Sequence, residues 1–422
     1  MNPVRVTEIR VTPVAIKDAP LLNVWGIHEP YALRSIIEVD TDDGLTGLGE
    51  TYGDEPHLSM LRSAAADLIG LDPFSLNELR QVIDRHTTAP DTSPAEQQRS
   101  VSVERTAACL TAAFEMAFLD LQGKATGRRV VDLLGGPCRD AVPYSAYLFY
   151  KNATHLTDPG FPEQYGQALT PAEVVEQARA IIGKYGFRSI KLKGGVFPPD
   201  EEAAAIEALY DAFPGYPLRL DPNGGWSVET SIRVAERLGS KLEYLEDPTL
   251  TIDRMAQVAA AVEVPLATNM CVIQFSHVPE SIAKNAVQVI LSDPHFWGGL
   301  RASQRLAGVC ETFDLGLSMH SNSHLGISLA AMTHLAAATP NLTYACDTHT
   351  PWQSEDVVRP GALRFVEGSV PVPDGPGLGV ELDRDALARM AEQYRECGIT
   401  KRDDQGAMRK IDPSWNPTLP KW

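Results

Sequence analysis

The sequence is poor in cysteine pairs, in long apolar runs and in positive charge. Its six cysteines are widely spaced and form no C-x-x-C pair, which in a chain of 422 residues is typical of reduced thiols in a cytosolic protein. No apolar run reaches the length of a transmembrane helix. Residues 1–17 alternate like a strand and do not resemble a signal peptide. We therefore predict a soluble, cytoplasmic protein with no membrane partner.

Negative charge dominates the chain. The 37 Lys and Arg residues stand against 55 Asp and Glu residues, which gives a net charge of -18 at pH 7. This balance argues against nucleic acids and anionic membranes as partners. An anionic substrate would require positive charge to be concentrated locally in its site. The apolar content of 44% is ordinary for a globular protein, and the length accommodates a large barrel plus a companion domain.

One stretch, residues 189–195 (Ser-Ile-Lys-Leu-Lys-Gly-Gly), organises the rest of the chain. Because side chains alternate between the two faces of a strand, Lys191 and Lys193 are expected to point to the same side. Repulsion between two neighbouring ammonium groups is expected to lower the pKa of one lysine toward the range of a general base. The two glycines allow the backbone to turn sharply after the strand.

From residue 142 onward, strands and helices alternate at the spacing of βα units. The strand candidates are residues 143–149, 188–193, 217–221, 242–246, 265–269, 287–293, 315–320 and 342–347. Eight parallel strands with helical crossovers predict an α/β fold, a modified (β/α)8 (TIM-like) barrel. In such barrels the active site lies at the carboxyl ends of the strands.

The flanking segments predict an α+β capping domain. Residues 4–17 and 33–50 read as antiparallel strands, followed by helical segments at 56–88 and 104–127. The polar stretch 87–101 is a candidate flexible loop, and a helix near 383–396 is expected to fold back on the N-terminal sheet. The predicted divisions are the capping domain over residues 1–135, the barrel over 136–350, and a C-terminal segment over 351–422 that completes the cap.

Oxygen-bearing side chains end three successive predicted strands: Asp221, Glu246 and Asn269. Neighbouring strand ends lie close together in a barrel, so these side chains are expected to converge. All-oxygen ligation suits Mg²⁺. Each residue alone could equally cap the following helix, but three on consecutive strands favour a magnesium site.

An acid and an imidazole, Asp293 and His320, end the next two predicted strands. A carboxylate beside an imidazole fixes its tautomer and stabilises its protonated form. A lone buried histidine would favour a structural role, but in this barrel order we interpret the pair as catalytic. A carboxylate substrate on Mg²⁺ would have its α-carbon between Lys193 and His320. Removing the α-proton gives an enediolate that Mg²⁺ and Lys191 would stabilise, and a β-hydroxyl would then leave as water.

This set of residues, in this strand order, resembles the enolase superfamily, mandelate racemase subgroup, over nearly the whole chain. Residues 267–270 (Ala-Thr-Asn-Met), 293–297 and 320–324 are similar to the D-glucarate dehydratase family. That resemblance implies that Lys193 and His320 are the two bases and that His320 is also the acid that releases water. It also implies conversion of D-glucarate, and often L-idarate, to 5-dehydro-4-deoxy-D-glucarate.

The resemblance further implies a set of substrate contacts. They are Asn23, His28, Thr106, Tyr147, Phe149, Lys191, Asn223, Ser321, Asn322, His349 and Arg402. Taken by itself, the loop 21–31, with Asn23, Trp25 and His28, is either a functional lid or a surface excursion. The loop alone favours the surface excursion, and the resemblance reverses that interpretation. Arg402 and Lys191 would supply the local positive charge that a dicarboxylic acid sugar needs. Because the family often assembles, a homo-oligomer is expected.

Two other interpretations stay open from the sequence. The first is a dehydratase of another acid sugar such as galactarate, or an acid-sugar epimerase or racemase. Whether a β-hydroxyl is expelled discriminates between these reactions. The second is a catalytically silent homologue with a binding or assembly role. The presence of Lys193, His320, Asp293 and all three metal positions argues against it.

Overall fold

The N-terminal part of the chain forms a three-stranded antiparallel sheet. The computed structural model describes residues 4–87, 103–155 and 164–422, so the predicted flexible loop at 87–101 lies almost wholly outside the described residues. The strands are β1 (Val6–Lys17), β2 (Leu22–Asn23), β3 (Gly26–Ile27), β4 (Tyr31–Thr41) and β5 (Thr46–Tyr52). The sheet has the order β1-β4-β5, and β2 pairs with β3 as a separate small hairpin. A register shift lies between Val6 and Glu8, where the apolar positions of the sequence change phase by one residue, from Val4 and Val6 to Ile9 and Val11.

Helices cover one face of this sheet. They are α1 (His57–Asp67), α2 (Leu76–His86), α3 (Val103–Thr126) and α4 (Val130–Leu133). Apolar side chains of α1, α2 and α3 form one core with Ile37 and Val39 of β4. Gly47 and Gly49 of β5 lie against the backbone of α3, where a Cβ atom would have no room. The α+β character of the predicted cap is confirmed.

Parallel strands form the centre of the molecule. After β6 (Ala141–Pro143) they are β7 (Ala146–Phe149), β8 (Ile190–Lys193), β9 (Leu218–Asp221), β10 (Tyr244–Glu246), β11 (Leu266–Thr268), β12 (Val289–Ser292) and β13 (Gly316–Met319). They lie in sequence order in one parallel sheet from β7 to β13. In this register Lys193 is the partner of Asp221 on the next strand. The predicted barrel architecture is confirmed.

The barrel closes without a regular eighth strand, which corrects the prediction for residues 342–347. The N–H groups of both Thr343 and Tyr344 donate to the carbonyl of Leu317, at 3.0 and 3.1 Å. Two successive N–H groups on one carbonyl interrupt the even spacing of a parallel ladder. Further along, Cys346 forms a single parallel bridge to Tyr144. The segment therefore spans from β13 to the start of β7 by isolated hydrogen bonds.

Helices separate the barrel strands. They are α5 (Pro171–Tyr185), α6 (Pro199–Ala212), α7 (Val228–Leu238), α8 (Ile252–Ala259), α9 (Val278–Ala283), α10 (Pro294–Trp297), α11 (Leu300–Thr312) and α12 (Gly326–Ala337). Helix α5 starts with a capping box between Thr170 and Glu173. It ends at Gly186, whose φ of 76° is left-handed.

The C-terminal segment returns to the cap. β14 (Ser369–Pro371) pairs with β6, and two helices follow, α13 (Arg384–Glu396) and α14 (Asp404–Ile411). Helix α13 packs on β1, where Gln393 Nε2 donates to the carbonyl of Ala15 at 2.9 Å. The predicted fold-back is therefore present, while the exact domain limits stay predictions. Among the described residues, no helix combines the length and apolarity needed to cross a membrane.

Candidate active site

A cavity of about 690 Å³ opens at the carboxyl ends of the barrel strands, between barrel and cap. Most of the predicted site residues line it: Asn23, His28, Thr106, Tyr147, Phe149, Lys193, Asn223, Asn269, His320, Ser321, Asn322, His349 and Arg402. Lys191, Asp221, Glu246 and Asp293 are fully buried next to it. The structure thus brings the predicted residues together around one space.

Charged side chains from three neighbouring strands and from the segment that closes the barrel form the barrel floor, which we define as Lys191, Lys193, Asp221, Glu246 and Asp347. Lys191 Nζ lies 2.6 Å from Glu246 Oε2, 2.7 Å from Asp347 Oδ2 and 3.6 Å from Asp221 Oδ2. Burial lowers the pKa of Lys191, but Asp347 and Glu246 outweigh it and hold the pKa well above its ordinary value. The expected lowering by lysine repulsion therefore does not occur at Lys191, because carboxylates surround it.

Lys193 is the floor lysine that reaches the cavity. Its Nζ donates to Asp221 Oδ2 at 2.6 Å, as the pairing of the two strands requires. The loop after Lys193 is tied down by Glu202, a buried acid that the sequence interpretation missed. Glu202 accepts the backbone N–H groups of residues 195, 196 and 197 at 2.8–3.0 Å. These bonds fix the turn that follows the base candidate.

The three predicted metal ligands lie together. Asn269 Nδ2 donates to Glu246 Oε1 at 3.1 Å, and Lys191 bridges Glu246 and Asp221. Asp247 orients this group, since its carboxylate accepts the Asn269 N–H at 2.8 Å. Burial and the charge of Asp221 raise the pKa of Glu246 well above its ordinary value.

This donor set fits a divalent cation. Two carboxylates and an amide supply oxygen atoms, the ligand type that Mg²⁺ prefers. Asp221 and Glu246 are both fully buried, and the negative charge of Asp221 disfavours the ionised form of Glu246. A cation bound here would relieve the repulsion between Asp221 and Glu246.

The predicted dyad is formed. His320 Nδ1 lies 3.0 Å from Asp293 Oδ2, and the other oxygen of Asp293 accepts the His295 N–H at 2.8 Å. Burial raises the pKa of Asp293, but His324 and the hydrogen bond of His320 outweigh it and hold that pKa below its ordinary value. Phe296 stacks on the His320 ring at 5.3 Å. Carboxylate and aromatic ring together fix the imidazole at the cavity wall.

Two further histidines surround the dyad acid. Asp293, His295 and His324 offer ligand atoms within 4.8 Å of one another. The Arg34 guanidinium approaches His295 Nε2 to 3.5 Å, which disfavours a second cation there. Burial lowers the pKa of His295 to about 4 and that of His324 well below its ordinary value. We therefore interpret His295 as a neutral neighbour of Asp293.

The mouth of the cavity carries a second charged group, the rim, which we define as Asp18, Asn23, His28, Arg402 and Asp404. Arg402 binds Asp404 through two nitrogens, at 2.7 and 3.1 Å, and lies 3.3 Å from Asp18 Oδ2. His28 Nδ1 lies 3.0 Å from the same Asp18 oxygen. Asn23 Nδ2 donates to Asp404 at 3.3 Å. Loop 21–31 is therefore part of the cavity wall and not a surface excursion.

Aromatic and polar groups complete the wall. Tyr147 and Phe149 pack together at 4.6 Å, and His349 lies edge-on to Tyr147 at 5.0 Å. Asn322 Nδ2 donates to the Tyr52 hydroxyl at 3.5 Å. This wall is apolar beside the floor lysines and polar toward His320.

Several site residues escaped the sequence interpretation. Asp347 ends the predicted strand 342–347, so the strand-end rule that selected the other residues could have found it. Arg105 donates to the Asn269 carbonyl at 2.6 Å and lies over Phe296 at 4.3 Å, yet it sits within a helix with no motif around it. Asp18 and Asp404 have no local signal either, because their roles depend on contacts between distant segments.

Comparisons with known proteins match this chain, over nearly its whole length, to one family. The profile described as enolase C-terminal domain-like matches residues 173–386, and that of the mandelate racemase / muconate lactonizing enzyme N-terminal domain matches residues 7–135. The probable glucarate dehydratase of Streptomyces coelicolor is 53% identical, with 99% of each chain covered.

Solved structures are equally similar. An enolase from Thermobispora bispora, complexed with magnesium and formate, is 61% identical with a TM-score of 0.95, covering 99% of this chain and all of that one. An enolase from Pseudomonas fluorescens, with bound magnesium, potassium and tartrate, is 50% identical with a TM-score of 0.97 and complete coverage of both chains. The chain therefore belongs to the enolase superfamily, as a member of the mandelate racemase / muconate lactonizing enzyme family.

Proposed function

We propose that this protein is a Mg²⁺-dependent acid-sugar dehydratase that converts D-glucarate to 5-dehydro-4-deoxy-D-glucarate and water. The observation that carries the proposal is the presence of Lys193 and His320 on the walls of one cavity, with the oxygen ligands Asp221, Glu246 and Asn269 beside them. The 53% identity to a probable glucarate dehydratase supports the choice of substrate.

The residues of the chain divide the reaction between them. Lys193 or His320 removes the proton from the carbon next to the substrate carboxylate, and the C–H electrons form an enediolate. The C–O bond to the β-hydroxyl then breaks, and His320 donates the proton with which the hydroxyl leaves as water. Tautomerisation of the enol gives the ketone. Mg²⁺, when bound by Asp221, Glu246 and Asn269, supplies Lewis-acid stabilisation of negative charge on the substrate carboxylate.

Other residues orient and bind. Asp293 holds His320 through Nδ1, so its Nε2 is the nitrogen left to exchange protons with the substrate. Lys191 is fully buried among carboxylates, so we assign it an electrostatic role beneath the substrate carboxylate rather than a base role. Thr106, Asn223 and Ser321 stay proposed substrate contacts, as do the rim donors. A cytoplasmic location and a homo-oligomeric state stay predictions.

An NMR time course tests the proposal. Purified protein with Mg²⁺ in D₂O is incubated with D-glucarate, and L-idarate and galactarate are run in parallel. We expect the D-glucarate signals to decay as those of a deoxy-keto acid grow, and chelation of Mg²⁺ with EDTA to stop the reaction.

Two results would contradict the proposal in different ways. Deuterium incorporation without water loss would indicate an epimerase or racemase on the same two-base geometry. Conversion of galactarate alone would keep the dehydratase and change the substrate.

A further inference from the structure

The donors assigned to the substrate at the rim already hold a carboxylate of the protein itself. Arg402 Nε and Nη2 donate to the two oxygens of Asp404 at 2.7 and 3.1 Å, and Asn23 Nδ2 donates to Asp404 Oδ2 at 3.3 Å. A guanidinium that grips both oxygens of a carboxylate is the arrangement by which proteins bind carboxylate ligands. Asp404 therefore occupies a carboxylate-binding position that faces the cavity.

The charge of the rim does not favour a second anion beside Asp404. Asp18 and Asp404 carry two negative charges near the single guanidinium of Arg402, which lies within 4.0 Å of both. Burial raises the pKa of Asp404, but Arg402 outweighs it and holds that pKa below its ordinary value, so the carboxylate is ionised at neutral pH. A further carboxylate that entered this group would meet repulsion unless one of the two acids left.

Of the two acids, Asp404 is the one placed to leave. Asp18 is deeper, with a side chain 7% exposed, and it also bonds to His28. The side chain of Asp404 is 15% exposed at the cavity mouth, on the first residue of the eight-residue helix α14. Within the described part of the chain, the Asp404 side chain hydrogen-bonds to Arg402 and Asn23 alone, so rotation of this side chain toward solvent would release both donors.

We propose that Asp404 is a specificity-determining residue that competes with the distal carboxylate of the substrate for Arg402 and Asn23. This inference rests on the proposed function for the identity of the substrate as a dicarboxylate. A substrate with an anionic distal end replaces Asp404 on its donors, whereas one with a neutral end cannot replace these charge-assisted bonds. Only molecules in which Asp404 has left Arg402 can bind the diacid there. The apparent affinity for a diacid is therefore its intrinsic affinity multiplied by the fraction of molecules in which Asp404 has left Arg402.

The test compares two ligands that differ only at the distal end. D-glucarate is matched by L-gulonate, which keeps the carboxylate next to the reacting carbon and has a hydroxymethyl group in place of the distal carboxylate. Both are titrated by calorimetry into the Mg²⁺-loaded full chain carrying His320→Asn, which prevents turnover. Asp404→Asn is then added to that background. Asp403→Asn is the matched control, because it removes one charge from the adjacent residue and keeps an N-cap side chain at the start of α14.

We expect Asp404→Asn to tighten D-glucarate binding by about fivefold, since it removes a competing charge from the rim. L-gulonate should change by less than about twofold, and Asp403→Asn should change neither ligand by more than that. Asp404→Ser, which leaves no amide acceptor on Arg402, should also tighten D-glucarate; it serves as the second variant if Asp404→Asn is poorly folded.

Weaker D-glucarate binding in both Asp404 variants would overturn the inference, because it would show that Asp404 only holds Arg402 in place. Equal tightening of both ligands, or the same gain from Asp403→Asn, would also overturn it, as would the absence of D-glucarate binding. The failure of the proposed function is a separate result. If Asp404→Asn tightens D-glucarate binding but the protein that retains His320 releases no water from D-glucarate, the proposed function is wrong and this inference still holds.

Discussion

The floor and the rim of the cavity both consist of interleaved acids and bases, yet they are assembled differently. Four of the five floor residues come from the ends of neighbouring strands, where backbone pairing sets their separation, as between Lys193 and Asp221; Asp347 joins them from the irregular segment that closes the barrel. Rim residues come from two segments, 18–28 and 402–404, that meet only through tertiary packing. Backbone pairing makes the floor a rigid frame for chemistry, whereas the rim is a site where side chains can exchange partners. We therefore expect floor variants to change turnover or metal binding, and rim variants to change substrate affinity.

The largest effect is expected from the floor base. Lys193→Ala should reduce the dehydration rate of at least one of D-glucarate and L-idarate by about a thousandfold, since it removes one proton-transfer group. In D₂O the variant should exchange the α-proton of only one of the two epimers, through His320. Exchange with both epimers would remove Lys193 from the pair of bases. Circular dichroism of the variant checks that the fold is retained.

Asn269, a proposed metal ligand that donates a hydrogen bond to the floor residue Glu246, supplies the next test. Asn269→Leu should weaken Mg²⁺ binding by about a hundredfold, because a buried leucine supplies no ligand oxygen. Saturating Mg²⁺ should raise the melting temperature of the wild type, by ligand linkage, and the variant should lose that increase. The metal-free melting temperatures of both proteins provide the reference. An unchanged Mg²⁺ affinity would exclude Asn269 from the ligand set.

A substitution in the rim should change KM more than kcat. Arg402→Lys keeps the charge but loses the two-pronged grip, so KM for D-glucarate should rise by about thirtyfold while kcat changes by less than about fivefold. Lys401→Ala is the matched control, because it removes a neighbouring exposed cation that also lines the cavity. A fall in kcat as large as the rise in KM would show that Arg402 affects turnover as the floor residues do. It would contradict the distinction between a floor that sets turnover and a rim that sets substrate affinity.

A residue outside both regions supplies a stability reference. His334 on α12 accepts the Val131 N–H at Nδ1, at 3.3 Å, and contacts the Leu378 carbonyl through Nε2, at 3.1 Å. Burial lowers the pKa of His334 to about 4. The unfolded chain therefore binds more protons between about pH 4 and 6.5, so folding stability is lost on acidification through this window.

Replacing this histidine should reduce that acid sensitivity. The free energy of unfolding, measured with urea, should fall between pH 7.5 and pH 5.5 by about 1 kcal/mol less in His334→Gln than in the wild type. Because the comparison is between two pH values, any constant destabilisation by the substitution cancels. An identical pH dependence in both proteins would show that His334 does not stay neutral in the fold.

Sequence reasoning reached the floor by physical rules. Strand periodicity and the convergence of strand ends selected Lys191, Lys193, Asp221, Glu246 and Asn269, and the structure places them together. The same rules did not predict that Lys191 would be enclosed by carboxylates, because Asp347 arrives on a segment that is not a regular strand. Local pattern gives the direction of a side chain but not the charges of every neighbour.

Such local rules did not predict the residues of the rim. Taken by itself, loop 21–31 favoured a surface excursion, and only a family resemblance brought Asn23, His28 and Arg402 into the site. Asp404 was missed even then, because a carboxylate that accepts a hydrogen bond from a residue as distant in sequence as Asn23 has no distinguishing sequence pattern. Contacts between segments about 380 residues apart follow from the complete fold and not from local propensity.

The distance along the chain between Asn23 and Asp404, 381 residues, also has a consequence for the order of folding. Closing so long a loop has a high entropic cost, so this contact is expected to form after the barrel between residues 146 and 347 has assembled. During refolding the chain should therefore acquire its Mg²⁺ site before it can retain a diacid. Stopped-flow refolding that follows the two ligands separately would show this delay, and simultaneous recovery would indicate that barrel and rim fold as one unit.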